Sequence, residues 1–180
     1  MLSFFKDKRE SLRSAIELTH HKESTYYNMI IINQTAELPY SPTQVFEVVN
    51  NVQAYPEFLP FCKKGMIKTL ETDKVVEGSL TLGGLGFSET VKTQNTLIKP
   101  HQINMRLLEG PLNYLEGNWT FSEISPGKTQ AKLHIKLDFK YPWLERITKP
   151  MFKKVTQEAL AAFVKRVEIC YKTPRNDMYV

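Results

Sequence analysis

Four histidines and two cysteines are the residues of this chain best suited to bind a metal or attack a substrate. Their spacing serves neither purpose. Zinc sites close a tetrahedral shell with short C-x-x-C or H-x-x-x-H spacings, and the sequence contains none. His20 and His21 are adjacent, and neighbouring helix positions do not share a face, so the pair reads as solvated. His134 falls on the polar side of an alternating segment, and His101 sits beside Pro100 in a turn. Neither stands near a recognisable nucleophile, and no G-x-S-x-G elbow exists. Gly83-Gly84-Leu85-Gly86 lacks the GK[ST] ending of a phosphate loop and the helix pattern that follows a dinucleotide fingerprint. It reads as a hairpin turn or bulge, or as a gate beside a pocket. Catalytic residues, a metal and a cofactor are therefore not expected.

Glu89 is the carboxylate whose strand parity points inward, together with Phe87, Val91 and Leu97. An unpaired buried carboxylate is costly. Two readings stay open: it hydrogen-bonds the polar head of a bound molecule when protonated, or it lies at a sheet edge or bulge that resets the parity. The aromatic residues Phe46, Tyr55, Phe58, Phe61, Phe87, Trp119, Phe121, Phe139, Phe152 and Phe163 are ambiguous in the same way, because cores and apolar pockets draw on the same side chains.

The elements that position these residues can be read from periodicity. Residues 30–38 read as a strand. Ser41-Pro42-Thr43-Gln44 is a helix start, with Ser41 as N-cap, Pro42 at the first helical position and Gln44 able to complete a capping box. Val45, Val48, Val49 and Val52 then recur at helical spacing, followed by an aromatic turn between the prolines of Tyr55–Phe61. From about residue 64 to 140 the period is two. Ala131, Leu133, Ile135, Leu137 and Phe139 alternate with Lys132, His134, Lys136 and Asp138, the pattern of an antiparallel sheet with one wet face. Leu115, Gly117, Trp119 and Phe121 likewise share a face. Turn signals divide this region into roughly six strands in hairpin succession. Residues 143–172 predict a long amphipathic helix. Met151, Phe152, Val155, Ala159, Ala162, Phe163, Val167 and Cys170 fall within about 160° of arc, with Arg166 as an exception. Pro150 should kink or split it.

The expected fold is α+β, with a long C-terminal helix closed over a curved antiparallel sheet. Residues 1–28 read as an extension, 29–173 as the domain and 174–180 as a tail. Its 42% hydrophobic and 24% charged residues fit one globular domain with a real core. No run is long enough for a transmembrane helix, no secretory signal is visible, and the two distant cysteines suit a reducing, cytoplasmic setting. The net charge is +5. Residues 140–175 hold nine Lys or Arg against three Glu, which leaves the rest of the chain nearly neutral. Such asymmetry reads as a surface for an anionic membrane or RNA, or as a solvated helix face. Lys153, Lys154, Lys165 and Lys172 are the candidates for that surface.

Three ordered motifs carry a resemblance. They are Tyr55-Pro56-x-Phe58-Leu59-Pro60-x-Cys62, Gly110-Pro111-Leu112-x-x-Leu115-x-x-x-Trp119-x-Phe121 and Leu137-x-Phe139. Together, over about residues 29–172, they resemble the coenzyme Q-binding protein family of the START-like superfamily. That family includes mitochondrial ubiquinone-binding proteins and bacterial ribosome-association toxins (RatA). Leu112 stands where Phe is common, and the position stays apolar. The resemblance implies a helix-grip fold and a hydrophobic tunnel for ubiquinone or a related isoprenoid lipid. It also implies a non-catalytic role in respiratory electron transport or quinone biosynthesis, peripheral to the inner membrane. The toxin branch implies instead a partner in the large ribosomal subunit and a block on subunit association. With the tunnel in mind, the wall candidates are Phe46, Tyr55, Phe58, Leu59, Phe61, Phe87, Glu89, Leu112, Trp119, Phe121, Phe139, Met151, Phe152, Val155 and Phe163. The motifs do not separate the two roles, and the oligomeric state is not legible.

Overall fold

The computed structural model describes residues 29–72, 74–84 and 86–172, without the side chains of residues 71, 72 and 147–157. The expected extension over 1–28 and tail over 174–180 lie outside the described residues. The chain divides into two units, Met1–Ile30 and Ile31–Val180.

Strand β1 (Ile30–Leu38) leads into helix α1 (Pro42–Asn50) and a 3-10 turn (Val52–Glu57). Six strands follow in succession: β2 (Cys62–Thr72), β3 (Val75–Gly84), β4 (Phe87–Ile98), β5 (Gln102–Glu109), β6 (Leu112–Ser125) and β7 (Lys128–Phe139). Helix α2 (Pro142–Tyr171) ends the described chain. The seven strands form one sheet in the order β1-β7-β6-β5-β4-β3-β2, and each neighbouring pair from β2 to β7 is antiparallel. This is the expected helix-grip arrangement.

The local signals act as their chemistry dictates. The Ser41 hydroxyl accepts from the Gln44 amide at 3.4 Å, and the Gln44 carboxamide oxygen accepts from the Ser41 amide at 2.9 Å. This box satisfies two of the amides that a helix start leaves orphaned. Val45, Val48 and Val49 bury the inner face of α1, and Val52 continues the stripe into the 3-10 turn. On β7 the alternation turns Ala131, Leu133, Leu137 and Phe139 inward.

The packed core lies at the α1 end. Phe46 meets Phe121 edge-on, with ring centroids 5.8 Å apart. Leu38, Val45, Phe121 and Val167 are among its most deeply buried side chains. Truncating Phe121 to Ala there should cost about 3–5 kcal/mol, because lost transfer energy and a residual cavity add. Helix α2 enters this core through Phe163 and Val167.

Two expectations for α2 are corrected. Of the kink or split expected at Pro150, the split does not occur: the helical backbone runs from Pro142 through Pro150 to Tyr171, since a proline removes one backbone bond and leaves the neighbouring ones to carry the helix. Cys170, placed on the apolar arc by periodicity, is exposed. The last turn directs Tyr171 rather than Cys170 toward the core, where it meets Tyr40 and Glu47.

Candidate functional site: an apolar cavity between sheet and helix

Helix α2 does not lie flat on the whole sheet. Between them is a cavity of about 260 Å³. Its walls come from β1, Tyr55 and the 59–62 segment, the inner faces of β3 to β7, and α2 at Leu144, Ala159 and Phe163.

Nine of the side chains expected at such a wall are there: Tyr55, Leu59, Phe61, Phe87, Glu89, Leu112, Trp119, Phe139 and Phe163. Three are not. Phe46 and Phe121 pack on each other in the core. Phe58 stands behind the wall, edge-on to Tyr55 at 5.7 Å and to Phe163 at 5.2 Å. The sequence placed them correctly on inner faces, but the sheet is filled at the α1 end and hollow only at the other. The side chains of Met151, Phe152 and Val155, and of Lys153 and Lys154, lie outside the described residues. Lys165 and Lys172 are exposed, and Lys165 borders an outer groove between α2 and β1.

Phe163 fixes the helix over the cavity. Its ring meets Tyr55 at 5.1 Å, Phe58 at 5.2 Å and Trp119 at 5.3 Å, each close to edge-on. Such pairs add about 0.5–1.5 kcal/mol each beyond burial. The Tyr55 hydroxyl donates to the Val49 carbonyl, and burial pushes its phenol above the usual range. It is therefore a neutral structural group.

Two glycines shape the space. A Cβ on Gly117 would come within 2.8 Å of Met105 Cε and 3.1 Å of Ile135 Cγ1, two wall residues. The missing side chain is what lets Met105 lie there. On Gly84 a Cβ would meet the Phe61 ring at 3.0 Å. Phe61 itself has a positive φ of 62°, and its carbonyl accepts from the Gly83 amide at 2.9 Å. Left-handed backbone is uncommon for a bulky residue, so Phe61 is held by its surroundings. The glycine run seats Phe61 beside the cavity.

Polar groups on the wall are few. Glu89 faces inward as its parity predicts, opposite Leu82 in register. Thr93 donates to Asn95 Oδ1 at 2.8 Å. Burial raises the Cys62 thiol, offset in part by a backbone hydrogen bond with Lys64, and the thiol donates to the Lys64 carbonyl. Gln34 of β1 also reaches the wall. Sequence reasoning missed Gln34, yet the signal was present: it is the polar member of the alternating set Ile30, Ile32, Gln34, Ala36 and Leu38. Among the described residues no cluster of three His, Cys, Asp or Glu could hold a metal ion, and no helix is long and apolar enough to cross a membrane.

A curved antiparallel sheet gripping a C-terminal helix around an apolar cavity defines a START-like ligand-binding fold. The chain belongs to the family described as polyketide cyclase / dehydrase and lipid transport, whose model matches residues 38–164, and within it to the coenzyme Q-binding and RatA group. It is 31% identical over 140 residues to the ribosome association toxin RatA of Escherichia coli strain K12, spanning 78% of this chain and 88% of that protein. It is 24% identical to the mitochondrial coenzyme Q-binding protein coq10 of Schizosaccharomyces pombe, across 75% of this chain and 85% of that one. A START superfamily protein from Mycobacterium smegmatis shares the fold, with a TM-score of 0.59, 22% identity, and coverage of 79% and 97% of the two chains.

Proposed function

We propose that the chain binds ubiquinone or a related isoprenoid lipid in this cavity without chemically changing it, in support of respiratory electron transport or quinone biosynthesis. The observation that carries this reading is an apolar cavity roofed by a helix and furnished with few polar groups. Burial of an apolar ring and tail supplies about 0.8 kcal/mol per CH₂ before ordering costs. At 260 Å³ the cavity is just below the roughly 300–1,000 Å³ of common ligand pockets, so it suits a ring and a short tail while a long tail extends outside. Binding without catalysis is favoured because, among the described wall residues, Glu89 is the one carboxylate and none is a histidine. To test this, the protein is purified from cells and extracted with organic solvent. Mass spectrometry should find a quinone or lipid, and added short-chain quinone should raise the melting temperature. Failure of both ends the reading.

A second reading, a regulator that binds the large ribosomal subunit, is favoured by the identity to RatA and by the basic segment 140–175. Overproduction followed by sucrose-gradient profiling separates the two. A salt-sensitive rise in free subunits supports the regulator; an unchanged profile leaves the carrier.

A further inference from the structure

One residue of the cavity wall occupies a position suited to glycine. Leu59-Pro60-Phe61-Cys62 is a turn, in which the Cys62 amide donates to the Leu59 carbonyl at 3.4 Å. Phe61 stands third in it with a φ of 62°, the one positive φ on a non-glycine among the described residues. A turn with proline second and a positive φ third takes glycine or asparagine there, because a larger side chain on left-handed backbone is strained. Strain of this kind persists only where the surroundings over-determine it, and it gathers at ligand clamps.

Two contacts hold Phe61 in place. Its carbonyl accepts from the Gly83 amide at 2.9 Å, which ties the turn to the end of β3. Its ring lies over Gly84, where an added Cβ would stand 3.0 Å from Cδ1. Phe61 lines the cavity and Gly84 does not, so the ring stands between the hollow and the end of the β3–β4 hairpin. A glycine at position 61 would suit the backbone and leave the hollow running on to Gly84. Phenylalanine closes it. Affinity in an apolar cavity follows the apolar surface a ligand can bury, so the space this ring takes decides how much of a ligand is held.

We propose that Phe61 sets the length of ligand this cavity selects: its ring closes the hairpin end, so a head ring and a short tail are buried and further tail units add no affinity. This rests on the carrier reading above and adds the size of the cargo.

The test is calorimetry of the full chain with ubiquinone analogues that share one head and carry one to four isoprene units. In the wild type the affinity should level off within the first two units, each later one changing it less than about twofold. Phe61→Gly removes the ring and suits the backbone. In it the third unit should strengthen binding about tenfold, because that unit has apolar space to enter. Phe61→Ala should extend the series likewise but melt below Phe61→Gly, since alanine keeps a side chain on the left-handed backbone. Gly84→Ala acts in the opposite direction: its methyl presses the ring toward the cavity, so the second unit should add less affinity than in the wild type. An affinity that keeps rising through four units in the wild type, or one levelling point shared by the wild type, Phe61→Gly and Gly84→Ala, overturns the proposal. Failure of the wild type to bind any of the four analogues overturns the carrier reading itself.

Discussion

Arg166 lies across the face of Phe58, its guanidinium carbon 5.5 Å from the ring centroid. The same group donates to Glu57 Oε2 at 2.7 Å. A charged residue on the apolar arc of α2 is thereby explained. The stem runs over the aromatic turn, and the head stays at the surface, as long cationic side chains allow. This clasp ties α2 to the segment that carries Leu59 and Phe61 to the cavity.

Arg166→Ala should therefore loosen the helix over the cavity. Exposed ion pairs contribute about 0–1 kcal/mol, and an exposed cation over a ring about 0.5–1 kcal/mol, so a loss of about 1 kcal/mol is expected. Arg166→Lys should fall between, because an ammonium lacks the planar fork that stacks and pairs at once. Urea unfolding midpoints measure this. Equal stability of the Ala variant and the wild type would remove the clasp from the account.

Alternation revealed which way side chains point, and not where space is left. Leu133, Ile135 and Leu137 were legible as one inner face because their partners on β7 are polar. Trp119 and Phe121 share a face by the same rule, yet Trp119 borders the cavity and Phe121 fills the core. That difference comes from where α1 and α2 sit on the sheet, a long-range arrangement no local period encodes. Glu89 kept its inward parity because the irregularity between β4 and β5 places its extra residue, Leu108, on β5 and leaves β4 in register with β3. Arg166 broke the helical pattern because its partners are 109 and 108 residues away in sequence.

Gly117→Ala tests the hollow directly. The added methyl would stand 2.8 Å from Met105 Cε and 3.3 Å from the His134 carbonyl. The flexible methionine end can yield, and overpacking of this kind costs about 1–3 kcal/mol. Met105 should swing into the cavity, so quinone affinity should fall with the stability. Adding Met105→Ala should restore both in part. A double variant no better than Gly117→Ala alone would show that the clash is with Ile135 or the His134 carbonyl instead.

The two thiols should report on the cavity. Cys170 is exposed, whereas burial raises the Cys62 thiol and leaves less thiolate to react. With a disulfide-exchange reagent near pH 8, one thiol should react quickly and the other slowly. Cys170→Ser should remove the fast phase. Because Cys62 is on the cavity wall, saturating ligand should slow the remaining phase further. A slow phase indifferent to ligand would place the ligand elsewhere.

Alkali should loosen the end of α2. Tyr171 donates to Glu47 Oε2 at 2.6 Å, and burial followed by this bond pushes its phenol up to about 12. An unfolded tyrosine titrates near 10. The folded state therefore holds the proton longer, so the stabilisation is complete below about pH 10 and is lost as the pH rises toward about 12. Tyr55 acts in the same direction. In Tyr171→Phe the fall in the denaturant midpoint between pH 10 and 11.5 should be shallower than in the wild type. An unchanged fall would assign the alkaline loss to Tyr55 and other groups.

A carrier must meet the membrane that holds its cargo, and α2 offers two features for that. Exposed Lys165 and Lys172 would each attract anionic lipid by about 1 kcal/mol near the surface. At the start of the helix, exposed Tyr141 and Trp143 stack 6.1 Å apart, next to Lys140, and Leu144 behind them is part of the cavity wall. Tyr and Trp favour the headgroup region of a bilayer, where one end of the ring is dry and the other wet. Flotation with vesicles should show binding that is stronger to anionic than to neutral lipid and weaker in salt. Charge reversal at Lys165 and Lys172 should remove the anionic preference, while Trp143→Ala should lower binding to both kinds of vesicle. Equal recovery with anionic and neutral vesicles in every variant would leave α2 as a cover for the cavity, with its lysines serving only to hold water.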